Sequence, residues 1–262
     1  MTELIFHRGC NLDAAENSMA GIAECASLAP SCAVEIDVAV TKDRHPVLLH
    51  DLSLERLFGL RSTVLDMTLD EFQRHGGGAT LATLSEALVA FPHTRFELDL
   101  RDDTSSALFP ESVLSAVDLP EDPAGALLEG MEPVLAEAAV GRLRLIVGLP
   151  SSYHRLKAGF PNIAISLAER SCRDFLEELS RDEGARPPVE EGLDRIYVRY
   201  QAASSGLIDR LHRRNYAVCV TASFPYRNLE NSRRVVERAR QASADFVMVS
   251  PVDEGILEVL RR

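Results

Sequence analysis

Basic residues are scarce in this chain: 28 Lys and Arg stand against 40 Asp and Glu, leaving a formal net charge of -12. A surface of that sign repels polyphosphate, so extended contact with nucleic acid or an anionic membrane is disfavoured, while a local basic pocket is still allowed. Cysteine is sparse and unpatterned. The five residues, Cys10, Cys25, Cys32, Cys172 and Cys219, are odd in number and hold no C-x-x-C pair, so neither a zinc knuckle nor a disulfide framework is encoded. They read as reduced thiols. No stretch approaches the roughly 20 apolar residues of a membrane span, and the opening MTELIFHRG lacks the basic start and apolar core of a secretory signal. The expectation is a cytoplasmic protein without stable membrane insertion. Also missing are a low-complexity linker, an internal repeat and a sign of a second domain. The whole of 1–262 is therefore expected to form one domain, long enough to bury a sizeable core.

What is present is a rhythm. Nine apolar runs of strand length recur, at 4–6, 33–40, 46–50, 95–100, 143–149, 163–167, 195–200, 217–222 and 245–250. Segments of helical spacing lie between most of them, at 14–29, 83–91, 125–140, 206–215 and 228–243, which is the pattern of repeated β-α units. One connection breaks it. Only TKDRH separates the runs 33–40 and 46–50, and a parallel crossover needs a dozen or more residues, so these two must form an antiparallel hairpin. Discounting the return strand leaves eight. Eight parallel strands alternating with helices in about 250 residues is the arithmetic of a (β/α)8 barrel, although an open doubly wound sheet could be drawn from the same pattern. The barrel is the preferred reading, and the stretch from Asp51 to Gly78 falls outside its repeat.

In such a barrel the chemistry comes from the carboxyl ends of the strands. His7 and Arg8 directly follow the run LIF. Glu35 and Asp37 lie two apart in AVEIDVAV, so both project to one face of that strand, and Glu97 and Asp99 repeat the spacing in FELDL. If the acidic face is the inward one, carboxylates sit inside an apolar barrel, where a cation or protonation must relieve them. His50 and Asp51 end the return strand of the hairpin, which carries His50 back toward the mouth. Carboxylates in this number suit Mg2+ or Ca2+ rather than zinc, with Mn2+ also accommodated. Two histidines flanking a phosphate are what an in-line displacement needs, one as base and one as acid.

These residues resemble the glycerophosphodiester phosphodiesterase family. The family reads His-Arg-Gly, then Pro-Glu-Asn-Thr, then Glu-x-Asp-Val-x-x-Thr-Lys-Asp-Gly-x-Pro-Val-x-x-His-Asp. This chain has HRG (7–9), AENS (15–18) and EIDVAVTKDRHPVLLHD (35–51), followed by LSLERL, LDMTLDEF, LATLSEAL and FELDL. The resemblance covers the first hundred residues closely. It implies a (β/α)8 barrel of the phospholipase-C-like phosphodiesterase type, a divalent metal held by Glu35, Asp37 and Glu97, an acid and base pair in His7 and His50, and phosphate bound by Arg8. It also implies a small phosphodiester as substrate, and Glu16 supporting the site from the start of the first helix. A lyase or phosphoryl transferase releasing a cyclic phosphate, and a non-catalytic barrel that binds a phosphorylated ligand, are the alternatives on the same scaffold.

The departures lie on the substrate side. The family's Glu-x-Lys in the third parallel strand reads here Glu97-Leu98-Asp99, with an acid where the lysine stands. Asp99 is thus an added metal ligand or meets a cationic substrate group, while Arg101 or Arg199 supplies the positive charge. The family's Trp-Thr is absent, its place reading VTASFPY, where Thr221, Phe224 and Tyr226 are candidates to shape the pocket.

Overall fold

The computed structural model describes residues 2–9, 14–75, 81–103, 121–138, 140–189, 192–222 and 228–261. Its strands are β1 (Glu3–Phe6), β2 (Ala33–Val40), β3 (Pro46–Leu48), β4 (Arg95–Leu100), β5 (Leu143–Val147), β6 (Ala164–Leu167), β7 (Arg195–Arg199), β8 (Ala217–Thr221) and β9 (Phe246–Val249). Eight of them follow the order β6-β5-β4-β2-β1-β9-β8-β7, and the strands at the two ends of that order, β6 and β7, touch. All seven neighbouring pairs of this order are parallel. This is a nearly closed (β/α)8 barrel, and the open doubly wound alternative is excluded. β3 lies off the ring, antiparallel to β2, with Val38 opposite Leu48. The short connection could close in no other way.

The helices begin where side chains satisfy their first free N–H groups. Ser18 caps Met19–Leu28, Ser204 caps Ser205–Arg213, and Asn228 caps Leu229–Gln241. Thr83 and Glu86 form a reciprocal capping box on Leu84–Ala90. The expected first helix is therefore shorter than its apolar spacing suggested, because residues 14–18 form a turn ahead of the cap. The excursion after β3 holds three short helical pieces, Glu55–Phe58, Val64–Asp66 and Leu69–His75.

Strand alternation sorts β2 into two faces. Val34, Ile36 and Val38 are buried in the large core cluster that holds Ile22 and Leu127 from the helices. The opposite face of the barrel carries a small apolar cluster of Ile5, Ala33, Ile146, Tyr197, Cys219 and Met248. Around it stand the acids: β2 and β4 pair in register with Glu35 opposite Glu97 and Asp37 opposite Asp99. Cys25, Cys32, Cys172 and Cys219 form no disulfide among the described residues, while Cys10, Phe224 and Tyr226 lie outside the described residues.

Candidate active site

The HRG segment is a tight turn at the end of β1. Arg8 adopts φ 58° and ψ 28°, and Gly9 adopts φ 45°. A Cβ on Gly9 would come within 3.0 Å of both Ile22 and Ile36, so a left-handed backbone and a crowded neighbourhood both require glycine there. The turn aims the Arg8 backbone N–H at Glu35 Oε2, 2.6 Å away. Its side chain reaches inward as well, with Nη1 3.2 Å from Glu16 Oε1 and Nε 3.7 Å from Asp37 Oδ2. Ser250 Oγ donates to the His7 carbonyl at 3.0 Å, tying this turn to the segment after β9.

Glu35, Asp37 and Asp99 each offer a carboxylate oxygen, and these oxygens lie within 4.8 Å of one another. Burial and the two neighbouring acids push the Glu35 pKa well above the ordinary carboxylate range, opposed by the hydrogen bond from the Arg8 N–H. Asp99 is also raised by burial, against the pull of Arg101 and Arg170. Burial would raise Asp37 too, but His50, Arg8, Arg101 and an Asn17 hydrogen bond hold it below its usual value. Asp99 Oδ1 is buried without a hydrogen-bond partner among the described residues. Three hard oxygen donors around one point, one with its pKa raised by burial and one without a hydrogen-bond partner among the described residues, fit a hard divalent cation.

Glu97 is not in this group. It accepts from Tyr197 Oη at 2.8 Å and is paired with Arg195. It lines a separate crevice of about 160 Å3 among the first residues of β1, β4, β5 and β7. The expected ligand set of Glu35, Asp37 and Glu97 therefore changes in its third member, since β4 presents Asp99 to the carboxyl end and Glu97 to the opposite one. The missing positive charge is also found. Arg101, two residues beyond Asp99 and only 4% exposed, has Nη1 3.3 Å from Asp99 Oδ2 and 3.5 Å from Asp37 Oδ1. The acid-x-base pattern of this strand is thus Asp99-Leu100-Arg101, shifted two residues from the Glu97 register.

His7, Arg8, Glu35, His50, Asp51, Asp99 and Arg101 line one cavity of about 550 Å3 at the carboxyl ends of the strands. His7 Nε2 stands 3.9 Å from Glu35 Oε2. His50 Nδ1 lies 2.5 Å from Asp51 Oδ1. A carboxylate only accepts, so Nδ1 carries a proton, and in the neutral imidazole Nε2 has the lone pair. Burial raises Asp51, but hydrogen bonds from His50 and Arg56 hold its pKa down to about 2. Glu16 does not open the first helix. It sits in the preceding turn and accepts from Arg56 Nη2 at 2.5 Å as well as from Arg8. Arg199 does reach the mouth, half exposed, with Nε 2.8 Å from Glu169 Oε2. Thr221 also lines the cavity.

Two residues went unread in the sequence. Asn17, beside Glu16 in AENS, is buried and bonds Asp37 twice. Arg170, in the turn after β6, lines the same cavity and acts on Asp99. The first had a signal in the Glu-Asn pair, and the second had none.

Fold and site together define a (β/α)8 barrel protein with a metal-type acidic centre and two histidines at its carboxyl mouth. Residues 7–114 match the Glycerophosphoryl diester phosphodiesterase family. A glycerophosphodiester phosphodiesterase of Caldanaerobacter subterraneus subsp. tengcongensis is 34% identical over 77 residues, 29% of this chain and 31% of that protein. Human glycerophosphodiester phosphodiesterase 1 is 34% identical over 70 residues, 27% of this chain and 21% of the relative. The chain thus spans a third or less of the length of the curated relatives it matches. The fold likeness is complete: a glycerophosphodiester phosphodiesterase from Thermotoga maritima matches with TM-score 0.65 at 20% identity, covering 100% of this chain and 99% of the other. An Oleispira antarctica phosphodiesterase, solved with its product sn-glycerol-3-phosphate, matches with TM-score 0.72 at 18% identity over 100% and 98%. The sequence likeness to that family lies in residues 7–114, and the fold likeness to the solved structures runs the whole length of the chain.

Proposed function

We propose that the chain is a one-domain, metal-dependent phosphodiesterase that cleaves a small phosphodiester of the glycerophosphodiester type. The observation that carries this reading is the close group of Glu35, Asp37 and Asp99 in a cavity that His7 and His50 also line. These three carboxylates would hold Mg2+, Ca2+ or Mn2+, and such an ion, when bound, stabilises charge developing on the non-bridging oxygens of phosphate.

The chain's own residues do the rest. Arg8 and Arg101 bring fixed positive charge beside the carboxylates, which favours a phosphate anion next to them. His7 and His50 share the proton transfers, one taking the proton of the attacking oxygen and the other delivering one to the leaving oxygen. Asp51 keeps the proton of His50 on Nδ1, so Nε2 is the atom that exchanges it. Arg56 and Glu16 brace this pair from outside.

A screen of glycerophosphodiesters, lysophospholipids and sugar or nucleoside phosphodiesters, with and without added divalent ions, tests the reading. Phosphorus NMR of the product separates a monoester from a cyclic phosphate. Metal-dependent cleavage of at least one class is expected, and its loss in both His7→Ala and His50→Ala. Near wild-type rates in both variants would overturn the histidine roles.

A further inference from the structure

Residues 101–103, at the exit of β4, each reach a different part of the mouth. Arg101 turns to the carboxylates. Asp102, only 1% exposed, accepts from the N–H groups of Gly148 at 2.7 Å and Leu149 at 3.1 Å, pinning the turn after β5. Asp103 accepts from Arg170 Nε at 3.2 Å. One tripeptide therefore holds both a positive group at the cluster and a second one, Arg170, that lines the same cavity.

The place taken by the Arg170 guanidinium is shaped for it. A Cβ on Gly148 would fall 2.3 Å from Arg170 Nη2, so only glycine leaves the room. Ser171 Oγ donates to the Gly148 carbonyl and ties the next residue to the same turn. Arg170 lines the cavity, and its charge favours the ionised form of Asp99. Its Nη2, packed on Gly148, is buried with no hydrogen-bond partner among the described residues. A buried charged donor without an acceptor is costly, and a guanidinium held by one edge presents the other for an anion.

We propose that Arg170 is a substrate-binding residue of this site, its guanidinium donating to a phosphoryl oxygen from the turn after β6. The inference rests on the phosphodiesterase reading and adds a contact from the half of the chain beyond residue 114, where the family match ends. The phosphate would then be held by Arg8 and Arg101 near the carboxylates and by Arg170 from the β6 turn.

The test is titration calorimetry with inorganic phosphate in Mg2+ buffer, on wild type, Arg170→Gln and Arg170→Lys, beside steady-state kinetics on the best phosphodiester. Loss of a charge-assisted contact should weaken phosphate binding about tenfold in Arg170→Gln and lower kcat/KM about a hundredfold. Arg170→Lys should recover part of both, and added methylguanidinium should partly rescue Arg170→Gln, which a merely structural role would not allow. Should Arg170→Gln fail to fold, Asp103→Asn, which loosens the guanidinium without removing it, should weaken phosphate several-fold. Phosphate affinity within twofold of wild type in the folded variants, or no phosphate binding by wild type, overturns the inference. If wild type cleaves no phosphodiester, the function falls, while the phosphate titration still decides Arg170.

Discussion

Asn17 and Asp37 hold each other by two hydrogen bonds. Asn17 Nδ2 donates to Asp37 Oδ2 at 2.8 Å, and the Asp37 backbone N–H donates back to Asn17 Oδ1 at 2.9 Å. Both residues are at most 3% exposed, so no water replaces either bond. Asn17→Ala strips a buried carboxylate of one donor and leaves a strand N–H unpaired, at about 1–3 kcal/mol for each group. The expected outcome is a stability loss of about 2–4 kcal/mol, measured by urea unfolding, with a fall in activity even where the variant is fully folded. An unchanged denaturation midpoint would refute this account of the pair.

His50 depends on Asp51 for its tautomer. Asp51→Asn keeps the shape but lets the amide donate to Nδ1, which moves the imidazole proton to Nε2 and away from its working position. By comparison with the carboxylate of serine-protease triads, kcat should fall by about 10^2 to 10^4. The same carboxylate adds pH dependence. Its folded pKa of about 2 is below the ordinary aspartate value of about 3.9, so its contribution is fully present above that value and is lost as pH falls through about 2. With Arg56 44% exposed, solvent screening reduces this to about 1 kcal/mol. Acid unfolding of wild type and Asp51→Asn should therefore converge at low pH.

The barrel was legible because periodicity survives without side-chain detail: β2 and β3 had to form a hairpin, and the remaining strands alternated with helices. The paired acids of β2 were legible for the same reason, since alternation puts Glu35 and Asp37 on one face. Alternation could not say which acid of β4 turns to the mouth. Glu97 and Asp99 share a face, and the choice between them is made by Arg195 and Tyr197, about a hundred residues away in the chain, which hold Glu97 at the amino end. Asp99 is left to join Asp37, its register partner. Arg170 was unreadable because its role depends on the space that Gly148 leaves and on Asp103, neither adjacent to it in sequence.

That difference between Glu97 and Asp99 can be measured. Glu97→Gln leaves Arg195 buried beside a neutral partner, which should cost about 3–5 kcal/mol of stability. It should nevertheless retain the rise in melting temperature that Mg2+ or Ca2+ produces. Asp99→Asn should do the reverse, with a smaller loss of stability and no metal-induced rise. Thermal melts of both variants with and without 5 mM metal, roughly a hundredfold above a micromolar-range dissociation constant, separate the two outcomes. A Glu97→Gln variant that no longer responds to metal, beside an Asp99→Asn variant that does, would restore Glu97 as the third ligand.

Glu35 sets how that response varies with pH. Its burial, with Asp37 and Asp99 beside it, pushes its pKa well above the ordinary carboxylate range in the metal-free protein. Its folded pKa lies above the unfolded value, so its contribution to the metal-free fold is fullest below about pH 4 and is lost as pH rises toward the folded value. A bound cation reverses the preference, since the ligand must be deprotonated and its proton is released. The metal-induced gain in stability should therefore grow as pH rises from about 4, approaching the ~2.7 kcal/mol expected at a hundredfold excess over the dissociation constant. Glu35→Gln removes the titrating group, so whatever metal affinity it keeps should vary less with pH over the same range. Melting temperatures across pH 4 to 8, with metal and with chelator, decide it. Parallel curves for wild type with and without metal would mean that Glu35 is not among the groups the ion displaces a proton from.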